Sequence, residues 1–166
     1  MPKLEMYFDY SCPYCKIGYE IVLELLSSHP ELEMEWVPCE AHPRPEVWAN
    51  HSDLLAAGMY IARDLGADLS KYHETIYQAA IVEKIDIEDI EILAKTVASI
   101  TDATAFKKAL NEGSYLDLVK VNNQKAWGEL DFPAVPSFKY GEKLLPAIPG
   151  VGISREALEE LISAAE

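Results

Sequence analysis

Two cysteines separated by two residues, Cys12-Pro13-Tyr14-Cys15, are the part of this sequence whose type and spacing bear most directly on chemistry. A pair at this spacing either exchanges thiols for a disulfide or contributes half of a soft-metal site. Leu4 to Tyr10 before it is rich in large apolar side chains with a loose alternation, and Ser11-Cys12-Pro13 supplies a cap with proline at an early helical position. The pair therefore falls where a strand ends and a helix begins. Free amides and the positive end of the helix dipole favour an anion there, so the Cys12 sulfur is expected to ionise readily. Cys15, one turn later on the same face, is placed to displace whatever Cys12 has captured and close a small disulfide. Cys12 is the candidate nucleophile and Cys15 the candidate resolving thiol, while Lys16 reads as a solvated cation.

A third thiol, Cys39, ends a second strand-like stretch whose C-terminal end lies at the same sheet edge as Cys12. Cys39 and His42 complete a Cys-x-x-Cys plus Cys-x-x-His pattern of zinc-site type, although a buried structural cysteine or an auxiliary redox thiol fits Cys39 as well. The proline within the Cys12–Cys15 motif favours redox use over metal, and no metal ligand set is assigned. His29, His51 and His73 are read as structural, one at a helix end and two at exposed helical positions. Trp36, Trp48 and Trp127, with Tyr60, Tyr72, Tyr77 and Tyr115, read as packing residues.

These residues need elements to position them. Ile17, Ile21, Val22, Leu25 and Leu26 form one helical stripe that Ser27-Ser28-His29-Pro30 ends, and Leu32 to Val37 alternates as a second strand. The chain thus opens β-α-β, a parallel pair with a right-handed crossover. Prolines 38, 43 and 45 break the pattern. Four helical segments follow, near 53–65, 71–82, 87–100 and 102–110, with Gly66, Asp86 and Thr101-Asp102 as breaks or caps. A fifth helix is expected from an N-cap at Ser114 through Trp127, ended by Gly128. Strands over 135–140 and 143–148 around a Gly141-Glu142 turn make a hairpin, and Ser154 caps a last helix with Leu158, Leu161 and Ile162 inward. The expected domain is discontinuous, 1–40 with 112–166, and carries a helical insertion over 41–111.

Composition sets the outer limits. The chain has 166 residues, 49% apolar, enough for one domain with a real core. Its 14 basic and 28 acidic residues give a formal charge of -14, a field that repels phosphate and excludes sequence-blind nucleic-acid or anionic-membrane binding. Three cysteines do not make a secreted disulfide scaffold. With no leader-like N-terminus and no apolar run of membrane-spanning length, a reducing, cytoplasmic setting is expected.

Tyr7-Phe8-Asp9-Tyr10-Ser11-Cys12-Pro13-Tyr14-Cys15-Lys16-Ile17-Gly18, the stretch Glu35-Trp36-Val37-Pro38 to His42-Pro43, and Val135-Pro136-Ser137-Phe138 with its hairpin resemble the DsbA-like branch of the thioredoxin superfamily, and within it the cytosolic FrnE-like proteins. The resemblance spans nearly the whole chain. It implies an α/β, thioredoxin-like (DsbA-type) mixed four-stranded sheet with a helical insertion and a thiol-disulfide oxidoreductase activity without a bound cofactor. It also implies a cis peptide at Pro136 beside the Cys12 sulfur, substrate pairing along the Val135 backbone, and Pro13 and Tyr14 as further substrate contacts. Its partners would be disulfide-containing proteins or small-molecule thiols. Tyr14 stands where the periplasmic oxidants place a histidine, and losing that cation makes the pair less oxidising, in line with reduction or isomerisation. Two rivals remain. Phe8 to Tyr14 is also similar to glutathione-using 2-hydroxychromene-2-carboxylate isomerases and kappa-type transferases, which carry a serine at the position of Cys12 and need no Cys15. A metal-binding redox sensor built on Cys12, Cys15, Cys39 and His42 is the other.

Overall fold

The computed structural model describes residues 2–47 and 50–163, so the packing role expected of Trp48 lies outside the described residues. Strand β1 (Leu4–Phe8) is buried along its whole length, as a central strand covered on both faces must be. Its one charged side chain, Glu5, accepts from Tyr7 at 2.7 Å, Lys125 at 3.1 Å and Lys139 at 3.3 Å. Burial works to raise the Glu5 pKa, but these donors outweigh it and hold the carboxyl below its usual range.

Helix α1 (Pro13–Ser28) crosses to β2 (Met34–Pro38), which pairs in parallel with β1 from Leu4 opposite Met34 to Phe8 opposite Pro38. β2 starts later than the alternation suggests because Leu32 closes a turn onto His29 O, and Leu4 N binds Glu33 O at the sheet margin. Five helical segments follow: α2 (Asp53–Asp64), α3 (Leu69–Tyr77), α4 (Ile90–Val97), α5 (Ala103–Asn111) and α6 (Leu116–Asn123). Asp68, Asp89 and Asp102 cap α3, α4 and α5 through their carboxylates. The antiparallel strands β3 (Ser137–Tyr140) and β4 (Lys143–Leu145) complete a sheet ordered β2-β1-β3-β4, and α7 (Arg155–Ser163) packs beside it. This is the expected mixed four-stranded sheet with a helical insertion.

Several details correct the sequence reading. Ser114 does not cap α6: its amide bonds back to Ala109 O at the end of α5, and Tyr115, at φ 66, is the N-cap residue. Gly128 does not end that helix either, because α6 runs into a π-helical turn, Gln124–Glu129, closed by Leu130 N on Lys125 O. α3 likewise continues into a π-helical turn over Gln78–Val82. α4 begins at Ile90 rather than 87, since Asp86 binds the Glu88 amide in a turn of its own and Asp89 then caps the helix. The strand expected over 143–148 stops at Leu145, before Pro146, whose ring nitrogen has no hydrogen for the ladder.

His51 and His73 are not exposed. His51 precedes α2, is 6% exposed and lies with Nδ1 3.1 Å from His42 O. His73, on α3, is 1% exposed among Phe8, Tyr10, Tyr19 and Trp36, with Nδ1 2.9 Å from the Tyr10 hydroxyl. An imidazole ring packs as an aromatic in this cluster, which its polar letter conceals.

Candidate active site

Cys12 ends the segment leaving β1 and is the N-cap residue of α1, at φ -96 and ψ 117, with Pro13 following at the start of the helix. Its carbonyl already accepts from the amides of Cys15 at 3.0 Å and Lys16 at 3.2 Å. The Cys12 thiol is held below its usual pKa range. The hydrogen bond from the Cys15 thiol contributes most, and the Cys15 and Tyr14 amides add to it against the opposing effects of burial and of Asp9. Cys15 is fully buried, its Sγ accepts from Asp9 N at 3.4 Å, and burial pushes its thiol well above the ordinary value. One sulfur is acidic and half-buried, the other neutral and enclosed.

From the far side of the sequence, Val135 O lies 3.8 Å from Cys12 Sγ, and the Val135–Pro136 peptide is cis. Pro136 is buried against α1, where only the missing side chain of Gly18 leaves it room. A cavity of about 860 Å³ opens at Cys12, walled by Tyr14, Trp127, Val135, Pro149 and the 41–46 segment. Pro13 faces away from it, into a second cavity of about 380 Å³ that it shares with Ser11, His42 and Ile85. The structure thus brings Cys12, Tyr14 and Val135 to one cavity, sets Cys15 and Pro136 behind it, and turns Pro13 to the neighbouring one.

Lys16 pairs with Glu20 at 2.7 Å. Cys39, just past β2, is 1% exposed, its amide bonds to Phe8 O at 2.7 Å, and burial pushes its thiol up. His42 turns Nδ1 toward Glu46 at 3.1 Å. Among the described residues no group of three or more His, Cys, Asp or Glu side chains is arranged to hold a metal ion.

Sequence reasoning missed the residues that tie the site together. Trp127 donates its indole N–H to Glu40 O at 2.9 Å, and a second cis peptide, Arg44–Pro45, shapes the cavity wall. Asp9 accepts from Ser11 N at 2.8 Å, Ser11 Oγ at 2.7 Å and Ala41 N at 2.8 Å. The Asp-x-Ser pattern of a side-chain turn was a signal that could have found Asp9. Nothing local marks the other two.

A dithiol at a helix N-terminus, beside a mixed four-stranded sheet and a cis-peptide loop, places the molecule in the thioredoxin-like class. The description of DSBA-like thioredoxin domains matches residues 3–151, and the chain belongs to that family; it is an oxidoreductase of the DsbA-like kind. A Bacillus subtilis (strain 168) protein, YwbO, is 25% identical over 193 residues, covering 95% of this chain and 96% of that one. Among solved structures, a thioredoxin-like oxidoreductase from Silicibacter pomeroyi DSS-3 superposes with a TM-score of 0.74 at 17% identity, over 98% of this chain and 85% of that one. Chlamydia trachomatis DsbA superposes with a TM-score of 0.70 at 16% identity, over 98% and 85%. Both share the fold. No helix among the described residues is long and apolar enough to cross a membrane.

Proposed function

We propose that the protein exchanges the Cys12–Cys15 dithiol for a disulfide in a protein or small-molecule substrate, working in the reducing or isomerising direction. The Cys12 thiolate attacks one sulfur of the substrate disulfide, forming a mixed disulfide and expelling the other substrate sulfur as a thiolate, which takes up a proton. Cys15 loses its proton and attacks Cys12 Sγ; the second substrate thiolate leaves, and the Cys12–Cys15 disulfide remains. Two electrons pass from the protein to the substrate, and a thiol pool returns them.

The observation that carries this reading is the Cys12 sulfur at the mouth of α1, acidified by the Cys15 thiol and by two amides, on the wall of an open cavity. The substrate segment lies along the Val135 backbone, with Tyr14 on one side and Pro136 fixing the loop from behind; Pro13 borders the approach. Tyr14, where the periplasmic oxidants place a histidine, leaves out a cation that would stabilise the reduced form, which favours the reducing direction; a reducing, cytoplasmic setting accompanies this reading. Residues 41–111 act as an insertion in a 1–40 and 112–166 domain. Their first segment walls the cavity, so the insertion bears on substrate choice.

A redox titration read by mass spectrometry tests the exchange. The wild-type protein should gain and lose two hydrogens reversibly, Cys15→Ser should hold substrate as a mixed disulfide, and Cys12→Ser should do neither. An unreactive Cys12, or full turnover by Cys12→Ser, overturns the reading.

A further inference from the structure

Asp9 touches both cysteines, the Ser11 turn and the Ala41 segment. Its amide donates to Cys15 Sγ at 3.4 Å, and its carbonyl accepts from Cys12 N at 3.1 Å. Its side chain, on a residue 2% exposed, takes Ser11 N and Ser11 Oγ on Oδ1 and Ala41 N on Oδ2. Three donors and no competing acceptor are what an acceptor-only carboxylate requires. The carboxylate is therefore held between the Ser11 turn, next to Cys12, and Ala41, rather than free to swing to water.

The groups it acts on are themselves acidic. Facing Asp9 are the thiols of Cys12, Cys15 and Cys39, the Glu40 carboxyl and the Tyr77 hydroxyl, and Asp9 opposes ionisation or charge on each of them. Lys16, in the first turn of α1, is engaged by Glu20.

We propose that Asp9 is a positioning residue that sets the direction of electron flow: its fixed carboxylate disfavours the thiolate of the reduced site and so makes the Cys12–Cys15 pair a better electron donor. This rests on the dithiol exchange proposed above. The disulfide carries no charge, whereas the reduced site carries a thiolate, so a neighbouring anion penalises only the reduced side of the couple. The same residue also holds the turn that aims the Tyr14 and Cys15 amides at Cys12. The two contributions have opposite signs: removing the charge makes Cys12 more acidic, whereas loosening the turn makes it less acidic.

The test compares wild type with Asp9→Asn, in the full chain, by alkylation of Cys12 with iodoacetamide across pH and by equilibration of the dithiol against dithiothreitol and glutathione. In Asp9→Asn the alkylation midpoint should move toward acid and the ratio of reduced to oxidised protein at a given buffer poise should rise by about tenfold, which is ~30 mV for a two-electron couple. Ser11→Ala, which removes one donor and keeps the charge, should show less than half of either change. A midpoint that stays or moves toward alkali, or an unchanged potential, overturns the inference and leaves Asp9 as a clamp. Should Asp9→Asn fail to fold, Asp9→Ser, whose hydroxyl can still accept from Ser11 N, is read by the same criteria. A wild-type protein with no reversible Cys12–Cys15 couple fails at the earlier step and takes both proposals with it; a normal wild-type couple with an unmoved variant defeats only this one.

Discussion

The Pro136 ring rests on Gly18: a Cβ added to Gly18 would stand 2.8 Å from Pro136 Cγ and 3.3 Å from its Cβ. Helix α1 therefore carries the dithiol on its first turn and, one turn later, a gap that admits the loop bearing Val135. The two halves of the site, more than a hundred residues apart in the chain, are registered by a missing methyl group.

Gly18→Ala tests that contact. Alanine improves intrinsic helix propensity by up to about 1 kcal/mol, but overpacking a buried contact costs about 1–3 kcal/mol, and the proline ring has no flexible end to yield. The variant should unfold at lower denaturant than wild type. It should also lose exchange rate beyond what its residual folded fraction explains, because moving Pro136 carries Val135 O away from its 3.8 Å approach to Cys12 Sγ. Denaturant midpoints together with single-turnover kinetics check this, and equal rates at full folding would show that the registration has no part in the chemistry.

Gly58→Ala should be harsher on stability and neutral at the site. A Cβ there meets the Tyr72 hydroxyl, which donates to Leu55 O at 2.8 Å, and approaches Phe106 Cζ at 2.9 Å. Relieving the clash means giving up a buried hydrogen bond, a loss of about 1–3 kcal/mol on top of the strain, against about 1 kcal/mol gained in propensity. The urea midpoint should fall clearly. Cys12 alkylation in the folded fraction should be unchanged, since α2, α3 and α5 meet there away from the dithiol.

How far such features can be read beforehand depends on whether they are local. The strand-to-helix switch at Cys12 and the β-α-β opening are written in short-range periodicity. The sheet order follows once those elements are known. Asp9 gripping Ala41, Trp127 reaching Glu40 O and Gly18 receiving Pro136 each join distant segments, and a single sequence carries no mark of the pairing. Pro136 itself came through resemblance, because cis bonds are only about 5–6% of X-Pro bonds and no local feature raised that prior. Tyr115 capping α6 at φ 66 went unseen for the opposite reason: Ser114 is the better cap by residue type, but the amide needed to end α5 claims it.

His73 makes stability depend on acid. Burial holds its pKa at about 3, below the unfolded value of about 6.5, so the folded protein keeps the ring neutral while the unfolded chain protonates. For a group depressed in the fold, the contribution is fully present above the unfolded pKa and is lost as pH falls through the folded one. The window is therefore roughly pH 6.5 to 3. Urea unfolding at pH 7 and pH 4 should show wild type losing more stability than His73→Gln, which keeps an acceptor for Tyr10 but has no proton to gain. Parallel losses in the two proteins would show that carboxylates alone account for acid sensitivity.

The acidity of Cys12 should depend more on its thiol neighbour than on the helix. The Cys15 thiol is the largest influence lowering it, ahead of the Cys15 and Tyr14 amides. Cys15→Ser retains an O–H donor at that position, whereas Cys15→Ala retains none but leaves the amides and the α1 terminus in place. Alkylation of Cys12 across pH should therefore give a midpoint that moves toward alkali in Cys15→Ala, past that of an unperturbed thiol because burial then outweighs the Cys15 amide and Asp9 outweighs the Tyr14 amide, and by distinctly less in Cys15→Ser. If the two variants coincide with wild type, the amides alone hold the thiolate. Cys15 is then only a resolving group, and it can wait, protonated and enclosed, until the mixed disulfide draws it in.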